Sequence, residues 1–120
     1  MKLEQATRSN SSMRLAIHGP SGSGKTYSAL QLAKGLTKNN QIAVIDTEAG
    51  SAALYSNLTS FKVLRLEQPF TPERFIEAIT ICENAGCDVI IIDSLSNAWE
   101  GAGGVLEIHG HMPGNSFANW

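Results

Sequence analysis

The chain has 120 residues, of which 42% are hydrophobic and 17% charged, and a formal net charge of −2. That length suits one domain with a thin core, and the charge supplies no basic field to draw in nucleic acid or an anionic membrane from a distance. No continuous apolar run exceeds four residues (42–45 and 89–92 reach that length), far below membrane-spanning length, and no apolar stretch follows Lys2 to make a secretory signal. Cys82 and Cys87 form no CxxC pair and no histidine pair stands at zinc spacing, so they read as reduced thiols of a cytoplasmic protein.

Along the chain, residues 1–12 are polar and without periodicity, which predicts a mobile arm. Residues 13–18 are mostly apolar and end in Gly-Pro, which reads as a strand. Residues 25–39 carry Ala29, Leu30, Leu32, Ala33 and Leu36, a helical stripe that Asn39-Asn40 ends. Residues 42–45 form a second apolar strand, followed by Asp46. Residues 51–57 suit a short helix, and Phe61, Val63, Leu64 and Leu66 give a third strand. Thr71 then reads as an N-cap, with Pro72 at the first helical position and Glu73 in the first turn. Phe75, Ile76, Ile79 and Cys82 line one face of that helix, and Gly86 stops it. Residues 89–92 form the last strand, ending at Asp93. Apolar runs without alternation suit parallel strands buried on both faces. Repeated strand–helix–strand spacing then implies an α/β sandwich with right-handed crossovers. After Trp99 the pattern fades. Gly101, Gly103 and Gly104 loosen the chain, and residues 109–120 read as loop.

The most specific feature is Gly19-Pro20-Ser21-Gly22-Ser23-Gly24-Lys25-Thr26, a full match to G-x-x-x-x-G-K-[ST]. Phosphate oxygens need many donors at short range. Glycines let successive backbone N–H groups turn inward, and the helix opening at Lys25 adds its unpaired N–H groups and positive dipole end. Lys25 is expected to reach the β- and γ-phosphates, and Thr26 to ligate Mg²⁺. Tyr27, the next helical residue, is grouped with the loop in contacting nucleotide. A chance match in a chain this long is roughly 1 in 200 at ordinary residue frequencies. The dinucleotide fingerprint fails, because Tyr27 stands where its third glycine would fall.

Hydrolysis needs acids as well. Asp93, at the end of an apolar strand, is expected to orient Mg²⁺ through water; the plainer alternative is a helix cap, a role Ser94 could also fill. Asp46 and Glu48 should emerge at the same carboxyl edge, where open α/β sheets place their ligands. Glu48 is the candidate for polarising the attacking water, against the alternative of an exposed loop glutamate. Asp46 is given a supporting role at the strand end.

These segments together resemble the RecA-like group of P-loop ATPases, and more narrowly the phage-encoded ATPases often labelled AAA-family nucleotide-binding proteins. Residues 19–26 are similar to the Walker A loop. Ile45-Asp46-Thr47-Glu48 resembles the segment carrying the family's catalytic glutamate, and residues 88–94 resemble the Walker B strand. The resemblance covers about residues 13–100 and implies a three-layer P-loop NTPase sandwich with a mostly parallel sheet. It divides the chain into an arm (1–12), a nucleotide-binding core (13–100) and a Gly-rich tail (101–120). It also implies ATP and Mg²⁺ as ligands, Lys25 and Glu48 as catalytic residues, and hydrolysis in support of DNA recombination or replication. Single-stranded DNA and further copies of the chain are the implied partners. One feature departs from the family pattern. There, the strand after Walker B inserts between the Walker A and Walker B strands. Here the sequence runs only 27 residues past Asp93, through a Gly-rich stretch. The sheet is therefore expected to be incomplete, the chain to be a truncated form of a longer protein, and its own hydrolysis to be weak or absent. An altered sheet, a partner chain or the tail could fill the gap.

Other residues weigh less. His18 reads as a packed or hydrogen-bonding histidine. His109 and His111, beside Glu107, make a weak metal candidate. Arg65 and Arg74 could act on a neighbour's γ-phosphate, although solvated arginines are the plainer reading. Trp99, Phe117 and Trp120 could stack on bases, but residues 97–120 contain no Lys or Arg to hold the backbone. The competing functions are a small-molecule or nucleotide kinase, for which no Arg-rich lid is visible, and a nucleotide-binding fragment without turnover. A GTPase is disfavoured by the lack of an N-K-x-D segment.

Overall fold

A computed structural model describes residues 1–6, 12–20 and 22–120. Part of the predicted arm, and Ser21 of the phosphate loop, lie outside the described residues. The elements run in the order α1 (Lys25–Leu36), β1 (Ile42–Asp46), a 3₁₀ helix (Ser51–Tyr55), β2 (Lys62–Arg65), α2 (Pro72–Asn84), β3 (Val89–Asp93), α3 (Ser96–Glu100) and α4 (Val105–Gly110).

The three strands form one parallel sheet in the order β2-β1-β3. β1 lies in the middle, and all five of its residues are buried. Its side chains alternate between two packed layers. Ala43 and Ile45 face α2, where they meet Leu66, Phe70, Phe75, Ala78 and Cys82. Val44 faces the other way, onto Leu30 of α1 and Ala52 of the 3₁₀ helix, with Ile91 of β3 beside it. Helices thus cover both faces of the sheet, giving three layers. Each fully buried Leu, Ile or Val contributes about 1.5–3 kcal/mol, so β1 anchors both halves of the core. Burial on both faces holds for β1 alone. β2 is an edge strand with three of its four residues exposed, and β3 is half-buried.

α2 begins as its sequence dictates. The Thr71 hydroxyl accepts the Arg74 N–H at 3.3 Å, with Pro72 in the first turn. Gly86 takes a left-handed φ of 83° just past the helix and turns the chain towards β3. Burial pushes the Cys82 thiol up, and Cys87 adds to the shift. Asp88, just before β3, accepts from the Thr37 hydroxyl at 2.6 Å and the Lys38 N–H at 2.6 Å. It thereby ties the end of α1 to the start of β3. These bonds, that of Thr37 foremost, hold its carboxyl below the usual carboxylate range.

Two expectations are corrected. Residues 13–18 are not a strand: they are irregular, exposed and unpaired. An apolar run becomes a strand only where a neighbouring edge completes its hydrogen bonds. Among the described residues no strand lies on the side of β3 away from β1. The chain after β3 does not fill that place with a strand. It forms α3 and α4, which pack on each other. The second correction is that the predicted loop at 109–120 begins inside a helix, since α4 runs through His109 to Gly110. Glycines on both sides hide this short helix from a pattern search.

Candidate functional site

The loop before α1 is shaped by its glycines. Gly22 and Gly24 take φ of 80° and 88°, left-handed values that cost other residues about 1 kcal/mol or more. A side chain at Gly19 would meet the Ser23 hydroxyl at 2.7 Å. The Ser23 N–H closes a turn onto the Pro20 carbonyl at 3.2 Å. Lys25 folds back over the loop, its ammonium donating to the carbonyls of Gly19 at 2.5 Å and Pro20 at 3.1 Å. The first N–H groups of α1 have no intrahelical acceptor, and their dipole end points into the loop. The Tyr27 ring packs edge to face on Tyr55 and its hydroxyl accepts from Gln31.

Thr26, one turn into the site, donates its hydroxyl to Asp93 Oδ2 at 2.7 Å. This bond joins the phosphate loop to the end of β3 across 67 residues of sequence. A hydroxyl and a carboxylate at this spacing form a hard oxygen donor set of the kind that suits Mg²⁺. Among the described residues no group of three His, Cys, Asp or Glu side chains could hold a metal by itself. Any cation here would therefore share its shell with a ligand or water.

Glu48 lies just past β1 and is held by three elements. Its backbone N–H donates to Asp46 Oδ1 at 2.8 Å. Its Oε1 accepts from the Ser94 hydroxyl at 2.9 Å and from Asn97 Nδ2 at 3.3 Å. Thr47 reinforces the clamp. Its hydroxyl oxygen accepts the Ser94 N–H at 2.8 Å and Asn97 Nδ2 at 2.9 Å. The Ser94 and Ser96 hydroxyls are 2.6 Å apart. Nothing local in the sequence marks Ser94 and Asn97 as partners of Glu48. They stand 46 to 49 residues away in sequence, and only the β1–β3 register brings them together.

Lys25, Thr26, Glu48 and Asp93 thus share the carboxyl edge of the sheet. A cavity of about 200 Å³ opens on the β2 side of β1, lined by Asp46, Thr47, Arg65, Glu67, Gln68 and Phe70 among others. The remaining candidates are elsewhere. His18 is exposed. Arg74 donates to the Glu67 and Pro69 carbonyls and shapes the entry to α2. Trp120 stacks on His109 at 3.6 Å and on Trp99 at 5.7 Å, while Phe117 is exposed. His109 also meets the Ser116 carbonyl, and Glu107 accepts the Gly103 N–H, so both serve the tail's own fold. No helix of the described residues is long and apolar enough to cross a membrane.

In comparison with known families, a family described as an AAA domain matches residues 11–108, more than four fifths of the chain. Comparisons with curated proteins and with solved structures gave no match.

Proposed function

The chain belongs to the AAA domain family, and from that premise we propose that it binds ATP with Mg²⁺ in the loop at residues 19–26 and carries the catalytic groups of a RecA-like ATPase. The observation that carries this reading is the Thr26–Asp93 bond at 2.7 Å, which joins a phosphate-loop hydroxyl to a strand-end carboxylate at the mouth of the loop.

Lys25 exchanges its bonds to the Gly19 and Pro20 carbonyls for β- and γ-phosphate oxygens, as a mobile point charge can. The N–H groups of Gly22, Ser23, Gly24, Thr26 and Tyr27 donate to the same phosphates. Thr26 and Asp93 would hold the cation, Asp93 through water. Mg²⁺ held there would supply positive charge to offset that developing on the phosphate oxygens. Glu48 orients the attacking water. Ser94 and Asn97 fix its Oε1 and leave Oε2 for that water.

Glu48→Gln separates binding from chemistry. The expected result is an ATP affinity within about twofold of the native chain, with the weak hydrolysis expected of this chain lost. Loss of binding together with turnover would remove Glu48 from this role. The wider reading, of a cytoplasmic, self-associating phage ATPase acting on single-stranded DNA in recombination or replication, rests on the resemblance of residues 45–48 and 88–94. Stimulation of hydrolysis by single-stranded DNA is its test, and phosphate transfer to a small acceptor would favour a kinase instead.

A further inference from the structure

We propose that Asp46 is a positioning residue that links the cation to Glu48: Oδ1 fixes the Glu48 backbone, and Oδ2 accepts from the water shell of the bound divalent ion. This rests on the Mg·ATP reading above and adds to it a second carboxylate.

Three observations carry it. Asp46 is paired in register with Asp93 on the adjacent parallel strand. Neighbouring strands lie about 4.8 Å apart, and paired residues present their side chains on the same face. That face is fixed by the residues two positions earlier: Val44 and Ile91 both pack with Leu30 of α1. Asp46 and Asp93 therefore lie side by side on the α1 face, where Asp93 already meets Thr26.

The second observation is burial. Asp46 is only 2% exposed, yet its Oδ2 has no hydrogen-bond partner among the described residues. A buried polar atom left unpaired is costly, the more so when charged. Arg65, its register partner on β2, does not supply the bond. Arg65 is exposed instead, with its guanidinium beside the turn at Gly50.

The third is chemistry. An ionised carboxylate can only accept, so Oδ2 needs a donor. Two carboxylates on adjacent strands also repel each other unless a cation stands between them and the loop. Water bound to a divalent ion meets both needs. Oδ1 meanwhile holds the Glu48 N–H at 2.8 Å, so one side chain touches both halves of the site.

The test compares Asp46→Asn with the native chain in two measurements. The first is ATP affinity by calorimetry, in Mg²⁺ and in EDTA. The gain in affinity due to Mg²⁺ should shrink about tenfold, as it does when groups just outside a metal's ligands are lost. Affinity in EDTA should hold or rise. The second is the melting temperature without nucleotide, which checks that the variant folds while keeping an acceptor for Glu48. An unchanged Mg²⁺-linked gain overturns the proposal. Should Asp46→Asn not fold, Asp46→Ser keeps a short acceptor and is held to the same outcomes. If the native chain binds no ATP in Mg²⁺, the underlying Mg·ATP reading fails and takes this proposal with it. If the native chain gains affinity from Mg²⁺ and the variant gains as much, this proposal alone fails.

Discussion

Residues 42–46 and residues 13–18 are similar in sequence and opposite in structure. Each is a short, mostly apolar run ending in a polar residue, Asp46 or His18. The first is the central strand, with no residue more than 3% exposed. The second leads into the phosphate loop without a ladder partner, leaving Met13 68%, Leu15 60% and Ile17 41% exposed. Composition does not separate them; neighbours do. β1 has an edge on each side and a helical layer on each face, whereas residues 13–18 meet no strand among those described. The phosphate loop therefore hangs between a rigid anchor, the Thr26–Asp93 bond and α1, and an unpaired lead-in.

Hydrogen exchange should give the largest contrast. Amides of residues 43–45 are expected to be protected by several orders of magnitude over those of residues 14–17, because only the former need cooperative opening to exchange. Equal protection would place residues 13–18 in a sheet. Truncation in the core comes next. Ile45→Ala should cost about 2–5 kcal/mol in denaturant unfolding, and Ile17→Ala less than about 0.5 kcal/mol. A comparable loss at both sites would break the comparison.

The smallest effect concerns the strap between α1 and β3. Asp88 has a depressed carboxyl pKa, caused first by the Thr37 hydroxyl and then by the Lys38 N–H. A depressed pKa means that the carboxylate form stabilises the fold above its unfolded value, about 3.9, and that this contribution is lost as pH falls through the lower folded value. Asp88→Asn should therefore lower the melting temperature slightly at neutral pH, and the gap from the native chain should close below about pH 4. A gap that widens in acid would reverse the assignment.

What could be read from the sequence was local. Thr71-Pro72-Glu73 announces α2 because a cap acts within one turn. The glycines at 19, 22 and 24 announce the loop because their backbone freedom is intrinsic. Asp93 and Glu48 could be placed at the carboxyl edge because each follows an apolar run. What could not be read depends on register and on neighbours. Ser94 and Asn97 reach Glu48 only because β1 and β3 pair as they do. The burial of Asp46, and its unpaired oxygen, follow from the same pairing. The exposure of residues 13–18 depends on an edge that no local pattern encodes.

The central claim is that residues 19–26 form the phosphate site, and it is tested most directly by calorimetric titration of Mg·ATP into the native chain and into Lys25→Ala. Saturable binding by the native chain, weakened at least about tenfold by the loss of one charge-assisted contact, is the predicted result. Equal binding by the two chains, or none by the native chain, would contradict it.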